Sequence, residues 1–284
     1  MNTRLRKHLT GSMAFYSHIP LKMREYDFVR DKSLGDQIAT LRHLADELNG
    51  MIERSGSPAV SDILAVEARD SWRLSSNESA NPFAVLGSFH ESENAANIRR
   101  ATTYAVEALT ELPLCSRLFC NMHYIVCESP EYDKEYRGEY RTSPVWIGRQ
   151  GCLISDAAFV PPVGEDLTEA LSDLERFIHY ADEDVFVKAA MIHYQFEMIH
   201  PFIDANGRMG RLLVALFLYD SKVLHSPALL LSNAVSAYRE KYYRMIQDTN
   251  MTGDMDTWIR FFLSVLEYAI RLTLKEFVKC NSEG

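Results

Sequence analysis

Apolar positions recur at helical spacing along most of this chain. Leu41, Leu44, Leu48 and Ile52 line one face of an expected helix over residues 35–54, and residues 59–74 form a second. Between them Ser55-Gly56-Ser57-Pro58 is a breaker. The same periodicity predicts helices over 93–112, 114–128, 166–181, 184–199, 208–221, 233–248 and 254–279. Residues 144–160 instead alternate, which predicts a short hairpin turning at Arg149-Gln150-Gly151. Residues 1–34 mix glycine, proline, aromatics and charge and read as an irregular arm. Residues 75–92 and 129–141 read as loops. The pattern predicts a mainly α fold with one small hairpin and no internal repeat.

Composition narrows this picture. At 284 residues, 47% hydrophobic and 24% charged, the chain can bury a sizeable core. A net charge of −9 argues against a nucleic-acid partner, because phosphate backbones demand clustered Lys and Arg. Five cysteines (Cys115, Cys120, Cys127, Cys152, Cys280) show no CxxC spacing and read as reduced thiols of a cytoplasmic protein. No apolar run is long enough to span a bilayer, and the basic start lacks the apolar stretch of a signal peptide. A membrane partner is therefore not expected.

The chemistry concentrates in His200-Pro201-Phe202-Ile203-Asp204-Ala205-Asn206-Gly207-Arg208-Met209-Gly210-Arg211. Pro201 pushes His200 out of the α region, so the helix before it ends there. The apolar run Leu212, Leu213, Ala215, Leu216 and Leu218 begins a new helix, whose N-terminus falls at Asn206-Gly207-Arg208. Free N–H groups and the positive end of the macrodipole make such a terminus an anion site. A histidine here can act as a general base. Read alone, it is as well explained as a helix-terminating group. Asp204 suits Mg²⁺, which favours one or two carboxylates plus phosphates and water, and equally suits an N-cap. Arg208 and Arg211 carry the planar fork that matches phosphate oxygens.

This stretch resembles the signature of the Fic family, His-Pro-Phe-x-Asp/Glu-Gly-Asn-Gly-Arg-x-x-Arg, with Ala205 in place of its first glycine. Alanine there is tolerable at negative φ and costly at positive φ. Gly138-Glu139-Tyr140-Arg141, Val145-Trp146-Ile147-Gly148 and Ala158 to Pro162 resemble the family's flap region. His193 to Ile199 resembles the helix leading into the signature, and Tyr242-Tyr243, Asn250 and Trp258 to Leu263 the rear of its nucleotide site.

The resemblance implies a helical Fic bundle with a small β-hairpin flap. It divides the chain into an N-terminal regulatory portion, 1–112, and a catalytic core, 113–284, forming one compact unit. It implies a protein adenylyltransferase using Mg²⁺ and ATP on an unknown target protein, itself included, with a homodimer allowed. His200 would be the base and Asp204 the Mg²⁺ ligand. Asn206, Gly207, Arg208, Gly210, Arg211, Tyr242, Tyr243 and Asn250 would bind nucleotide. Trp146, Ile147 and Gly148 of the flap would dock the target as an added strand.

Many Fic proteins also carry an inhibitory segment, Ser/Thr-x-x-x-Glu, whose glutamate pairs with the second signature arginine. Here Ser71 fills its first position and Ser75 replaces the glutamate. Two expectations follow: Arg211 is free and inhibition weak, or Glu78 or Asp70 reaches Arg211 instead. Competing functions are removal of AMP, transfer of UMP or phosphocholine, a non-catalytic nucleotide-binding interaction protein, and a zinc hydrolase. The last is weakened because His193 and His200 belong to no HExxH motif.

Overall fold

A computed structural model describes residues 4–10, 13–76, 91–149 and 151–283. Helices dominate. After two strands, β1 (Arg4–Thr10) and β2 (Met13–Ile19), come α1 (Lys32–Ser76), α2 (Glu91–Ala108), α3 (Ser116–Val126), α4 (Glu165–Tyr180) and α5 (Val185–Ile199). The C-terminal part holds α6 (Asn206–Asp220), α7 (Leu231–Ala237), α8 (Arg239–Thr252) and α9 (Met255–Glu283).

The helix α5 lies at the centre. Its mean composition is too apolar for a surface helix, and Phe186, Ala189, Ala190, Ile192, Phe196 and Ile199 are fully buried. Two of its polar side chains pair inside: His193 Nε2 with the Tyr242 hydroxyl at 2.7 Å, and Gln195 with the Leu21 carbonyl at 3.1 Å. Trp258 of α9 packs beside it and donates its indole N–H to the Ala190 carbonyl at 2.8 Å. α6 packs along α5, and α9 spans α1, α5, α7 and α8. One contiguous apolar core runs from Met23 to Phe277.

The expected break between the first two helices sits at Gly56, with φ 72° and ψ −176°. Only glycine adopts this geometry cheaply, and Pro58 just beyond lacks the N–H a helix interior needs. The helix expected over 233–248 is instead two, α7 and α8, divided at Tyr238 (φ −108°, ψ 20°). The 75–92 loop lies mostly outside the described residues.

The first correction concerns the arm. Its first part is not irregular, since β1 and β2 pair antiparallel from Arg4↔Ile19 to Thr10↔Met13, whereas residues 20–31 are irregular apart from a 3₁₀ turn at Met23–Glu25. Leu5 and Leu9 of β1 face solvent while β2 buries Phe15 and Ser17. The alternation is therefore split between exposed apolar and buried polar positions, which hides it from pattern reading.

The stretch 144–160 does fold back, but through a single bridge. Ile147 N–H donates to the Phe159 carbonyl at 2.8 Å and Phe159 N–H returns to the Ile147 carbonyl at 3.0 Å. A short 3₁₀ turn, Ile154–Asp156, lies between them. On its far side, the His18 N–H donates to the Val160 carbonyl at 2.8 Å. The N-terminal hairpin thus closes one edge of the flap. No helix among the described residues is long and apolar enough to cross a membrane, and all five cysteines are unbridged.

Candidate active site

The loop between α5 and α6 is built by its own residues. α5 stops at Ile199, and His200 takes the left-handed conformation (φ 47°, ψ 60°) ahead of Pro201. Arg141 holds this corner. It donates to the carbonyls of His200 at 2.7 Å, Pro162 at 2.7 Å and Ile199 at 3.1 Å, and its N–H donates to the Pro201 carbonyl at 3.0 Å. Burial lowers the Arg141 guanidinium to about 10, so it stays charged at neutral pH. Asn206 closes the loop: its amide donates to the Phe202 carbonyl and its Oδ1 accepts the Phe202 N–H, both at 2.9 Å. His123 stacks on Phe202 with centroids 3.8 Å apart. Its Nδ1 accepts from Gly138 N–H at 3.0 Å, which leaves Nε2 to donate to the Asp204 carbonyl at 3.2 Å.

Ala205 has φ 62° and ψ 9°. The substitution therefore falls on the costly branch: a left-handed alanine carries about 1–2 kcal/mol of strain. The surrounding staples hold the turn despite it.

His200 Nδ1 donates to the Glu197 carbonyl at 3.3 Å, a tautomer assigned from that bond, so Nε2 keeps a lone pair. Burial pushes its pKa down to about 4, and the imidazole is neutral at pH 7. It borders a cavity of about 660 Å³. Gly207 and Arg211 of α6 line the cavity too, as do Tyr242, Tyr243 and Asn250 of α8 and Ile147 of the flap. The volume is that of a cofactor-sized site.

Other expected residues lie elsewhere. Asn206 spends its side chain on Phe202 and can offer a ligand only its backbone. Gly210 packs on α5, where a Cβ would lie 2.5 Å from Glu197 Oε1. Arg208 is buried between the Trp72 and Tyr132 rings, 5.2 and 5.3 Å from their centroids. Its Nη2 donates to Asp204 Oδ1 at 3.3 Å, while Nε and Nη1 are buried without partners among the described residues. The Asp204 side chain is 64% exposed. Trp146 is half-exposed, its indole N–H on the Cys152 carbonyl at 3.1 Å, and the backbone at Gly148 is crowded by Cys152 Sγ.

Ser71 and Ser75 do meet Arg211, which corrects the expectation of a free arginine; Asp70 does not reach it, and the expectation for Glu78 falls outside the described residues. Arg211 is not free: it is 3% exposed and hydrogen-bonded to Ser71, Ser75 and Ser232. No carboxylate pairs with it within 4 Å among the described residues. Asp70 is engaged by Arg69 and Arg73, and Glu78 lies outside the described residues.

Sequence reasoning missed Arg141 and His123 as loop anchors, and Ser232 as an Arg211 partner. It also missed His18 and Arg239, which line the cavity. Only Arg141 carried a signal, as part of a motif noted for another reason. The rest act through contacts between elements distant in sequence.

Residues 113–218 match the family described as Fic/DOC. The chain is 33% identical over 140 residues to a protein named protein adenylyltransferase Fic from Aedes aegypti, covering 48% of this chain and 25% of that one. The Drosophila ananassae protein of the same name is 31% identical over the same coverage. The match thus spans about a quarter of these relatives' length. Among solved structures, a Fic family protein from Desulfovibrio desulfuricans G20 superposes with a TM-score of 0.69 at 20% identity, over 88% of this chain and 77% of that one. Fic-1 from C. elegans gives 0.59 at 18% identity, over 87% and 72%. At these identities the structures speak for the fold.

Proposed function

We propose that the chain, whose residues 113–218 match the Fic/DOC family, is a protein adenylyltransferase. It transfers AMP from ATP to a Ser, Thr or Tyr hydroxyl of a protein, itself included. One observation carries the reading: a single cavity of about 660 Å³ joins a neutral, acceptor-bearing histidine to a helix N-terminus, an arginine and an aromatic-amide wall. The relatives' names support it at the level of the reaction.

The nucleotide's base and ribose lie against Tyr242, Tyr243 and Asn250. Its phosphates face the first turn of α6, whose N–H groups have no partner within the helix. Arg211 reaches the terminal phosphate. The orphaned nitrogens of Arg208 fit a further phosphate contact once that side chain swings from its aromatic slot. The donor set also fits Mg²⁺. Asp204 offers one largely exposed carboxylate, the kind that ion takes together with water and phosphate oxygens. When bound, Mg²⁺ would supply charge neutralisation on the phosphates.

His200 Nε2 takes the proton of the incoming hydroxyl. The freed oxygen forms a bond to the α-phosphorus as the bond to the β-phosphate bridging oxygen breaks, and pyrophosphate leaves. The backbone clamp by Arg141 keeps the imidazole aimed through that step, so catalysis here is largely positioning. The edge of Trp146–Gly148 left open by the N-terminal hairpin receives the target strand. In this reading residues 113–284 perform the reaction and 1–112 modulate it, and unbridged cysteines support a reducing, cytoplasmic setting.

The test is transfer of label from α-phosphate-labelled ATP to protein. Incorporation that is lost in His200→Ala supports the proposal. Equal incorporation in His200→Ala removes the base assignment.

A further inference from the structure

Arg211 is gripped from one side only. Its Nε donates to Ser232 Oγ at 3.0 Å. Its Nη2 donates to the Ser71 carbonyl at 3.0 Å, Ser71 Oγ at 3.2 Å and Ser75 Oγ at 3.0 Å. Ser232 is fixed in turn by Glu67. The Ser232 hydroxyl donates to Glu67 Oε1 at 2.5 Å, and its N–H donates to both carboxyl oxygens at 3.0–3.1 Å. Glu67, Ser71 and Ser75 are spaced four apart, so they stand on one face of α1.

What is left over decides the matter. Nη1 has no partner among the described residues. It points to the cavity side, where a Cβ placed on Gly207 would lie 3.2 Å from it. Arg211 itself lines the 660 Å³ cavity. Among the described residues, every acceptor that touches the guanidinium is a neutral oxygen. Glu67, the carboxyl group behind Ser232, reaches the guanidinium through that serine rather than by a direct ion pair.

We propose that Ser71, Ser75 and Ser232, with Glu67 behind Ser232, position Arg211 so that Nη1 receives the terminal phosphate of a nucleoside triphosphate. The segment that could block Arg211 with a carboxylate instead holds it from behind. This rests on the nucleotide reading above. The cost of ordering a long side chain is met during folding, so less is lost when ligand binds.

The experiment compares calorimetric binding of Mg-ATP and Mg-ADP to the full chain. The variants are Ser75→Ala, Ser232→Ala and the double substitution, with Ser75→Thr as rescue. ADP lacks the phosphate at issue, so it reports any general damage to the site. Each single alanine variant is expected to weaken ATP about three- to tenfold and the double variant more. ADP affinity should stay within about twofold, and Ser75→Thr should recover ATP binding. Equal losses for ATP and ADP, or no loss for either, would overturn the positioning role. Should Ser232→Ala unfold, Ser75→Ala carries the comparison alone, since Ser75 is only partly buried. A wild-type chain that binds neither nucleotide would sink the nucleotide reading itself. A wild-type chain that prefers ATP, with unchanged variants, would sink only this inference.

Discussion

Ser75→Glu should convert the Arg211 anchor into a block. The Ser75 hydroxyl lies 3.0 Å from Arg211 Nη2, so a glutamate there brings its carboxylate against the guanidinium. At about 4 Å and an effective dielectric near 20, the two charges attract by about 4 kcal/mol. Burying a new carboxylate takes back part of this. A charge-assisted hydrogen bond of about 1.5–3 kcal/mol is a fair net figure. The terminal phosphate must displace that contact to reach Arg211. Adenylylation at sub-saturating ATP should then fall by about tenfold to 150-fold. The assay is initial-rate transfer of labelled AMP, run beside Ser75→Gln, which has the same length without the charge. Ser75→Gln should stay within about threefold of wild type. Full activity in Ser75→Glu would refute the reasoning, and so would equal losses in both variants, which would make bulk the cause.

Glu67 is buried and burial raises its pKa to about 8; its folded value exceeds its unfolded one, so its contribution to stability is complete below about pH 4.5 and lost as pH rises through 8. Glu67→Gln should therefore flatten the urea-unfolding stability profile between about pH 5 and 8, and an unchanged slope would show that another group titrates. Ala205→Gly relieves about 1–2 kcal/mol of left-handed strain but gives up a buried methyl and adds unfolded-state entropy, each about 0.5–1 kcal/mol. Its unfolding free energy should stay within about 1 kcal/mol of wild type, whereas the β-branched Ala205→Val should lose about 2 kcal/mol or more. Arg141→Ala strips donors from three buried carbonyls and should cost about 3 kcal/mol or more in urea unfolding, with transfer activity falling further than stability explains. Arg141→Lys should fall between, because one ammonium cannot reach all three at once.

Much of the helical scaffold was legible because its apolar positions keep a 3.6-residue period against a single core. Leu41, Leu44 and Leu48 face that core as their spacing requires. The loop from His200 to Arg211 was legible for a different reason, being contiguous and built of residues with strong local preferences. Pro201 ends a helix, and Gly207 sits at the start of the next. The N-terminal hairpin was not legible, since Leu5 and Leu9 point to solvent and Ser17 inward. The side-chain directions of Arg208 and Asn206 were not legible either. Helical spacing places their Cα atoms at the loop, but packing against Trp72, Tyr132 and Phe202 decides where the polar atoms go. Ser75, at the position where the resemblance places a carboxylate, meets Arg211 with its hydroxyl. The consequence needed Ser232, which comes from a helix more than 150 residues further along the chain.

The central claim is adenylyl transfer with His200 as base. Intact mass of the purified chain after incubation with Mg²⁺ and ATP, beside His200→Ala, tests it most directly. The account predicts a gain of one AMP in the wild-type protein or in an added acceptor protein, and none in the variant. The same gain in His200→Ala, or a different adduct in the wild type, would contradict it.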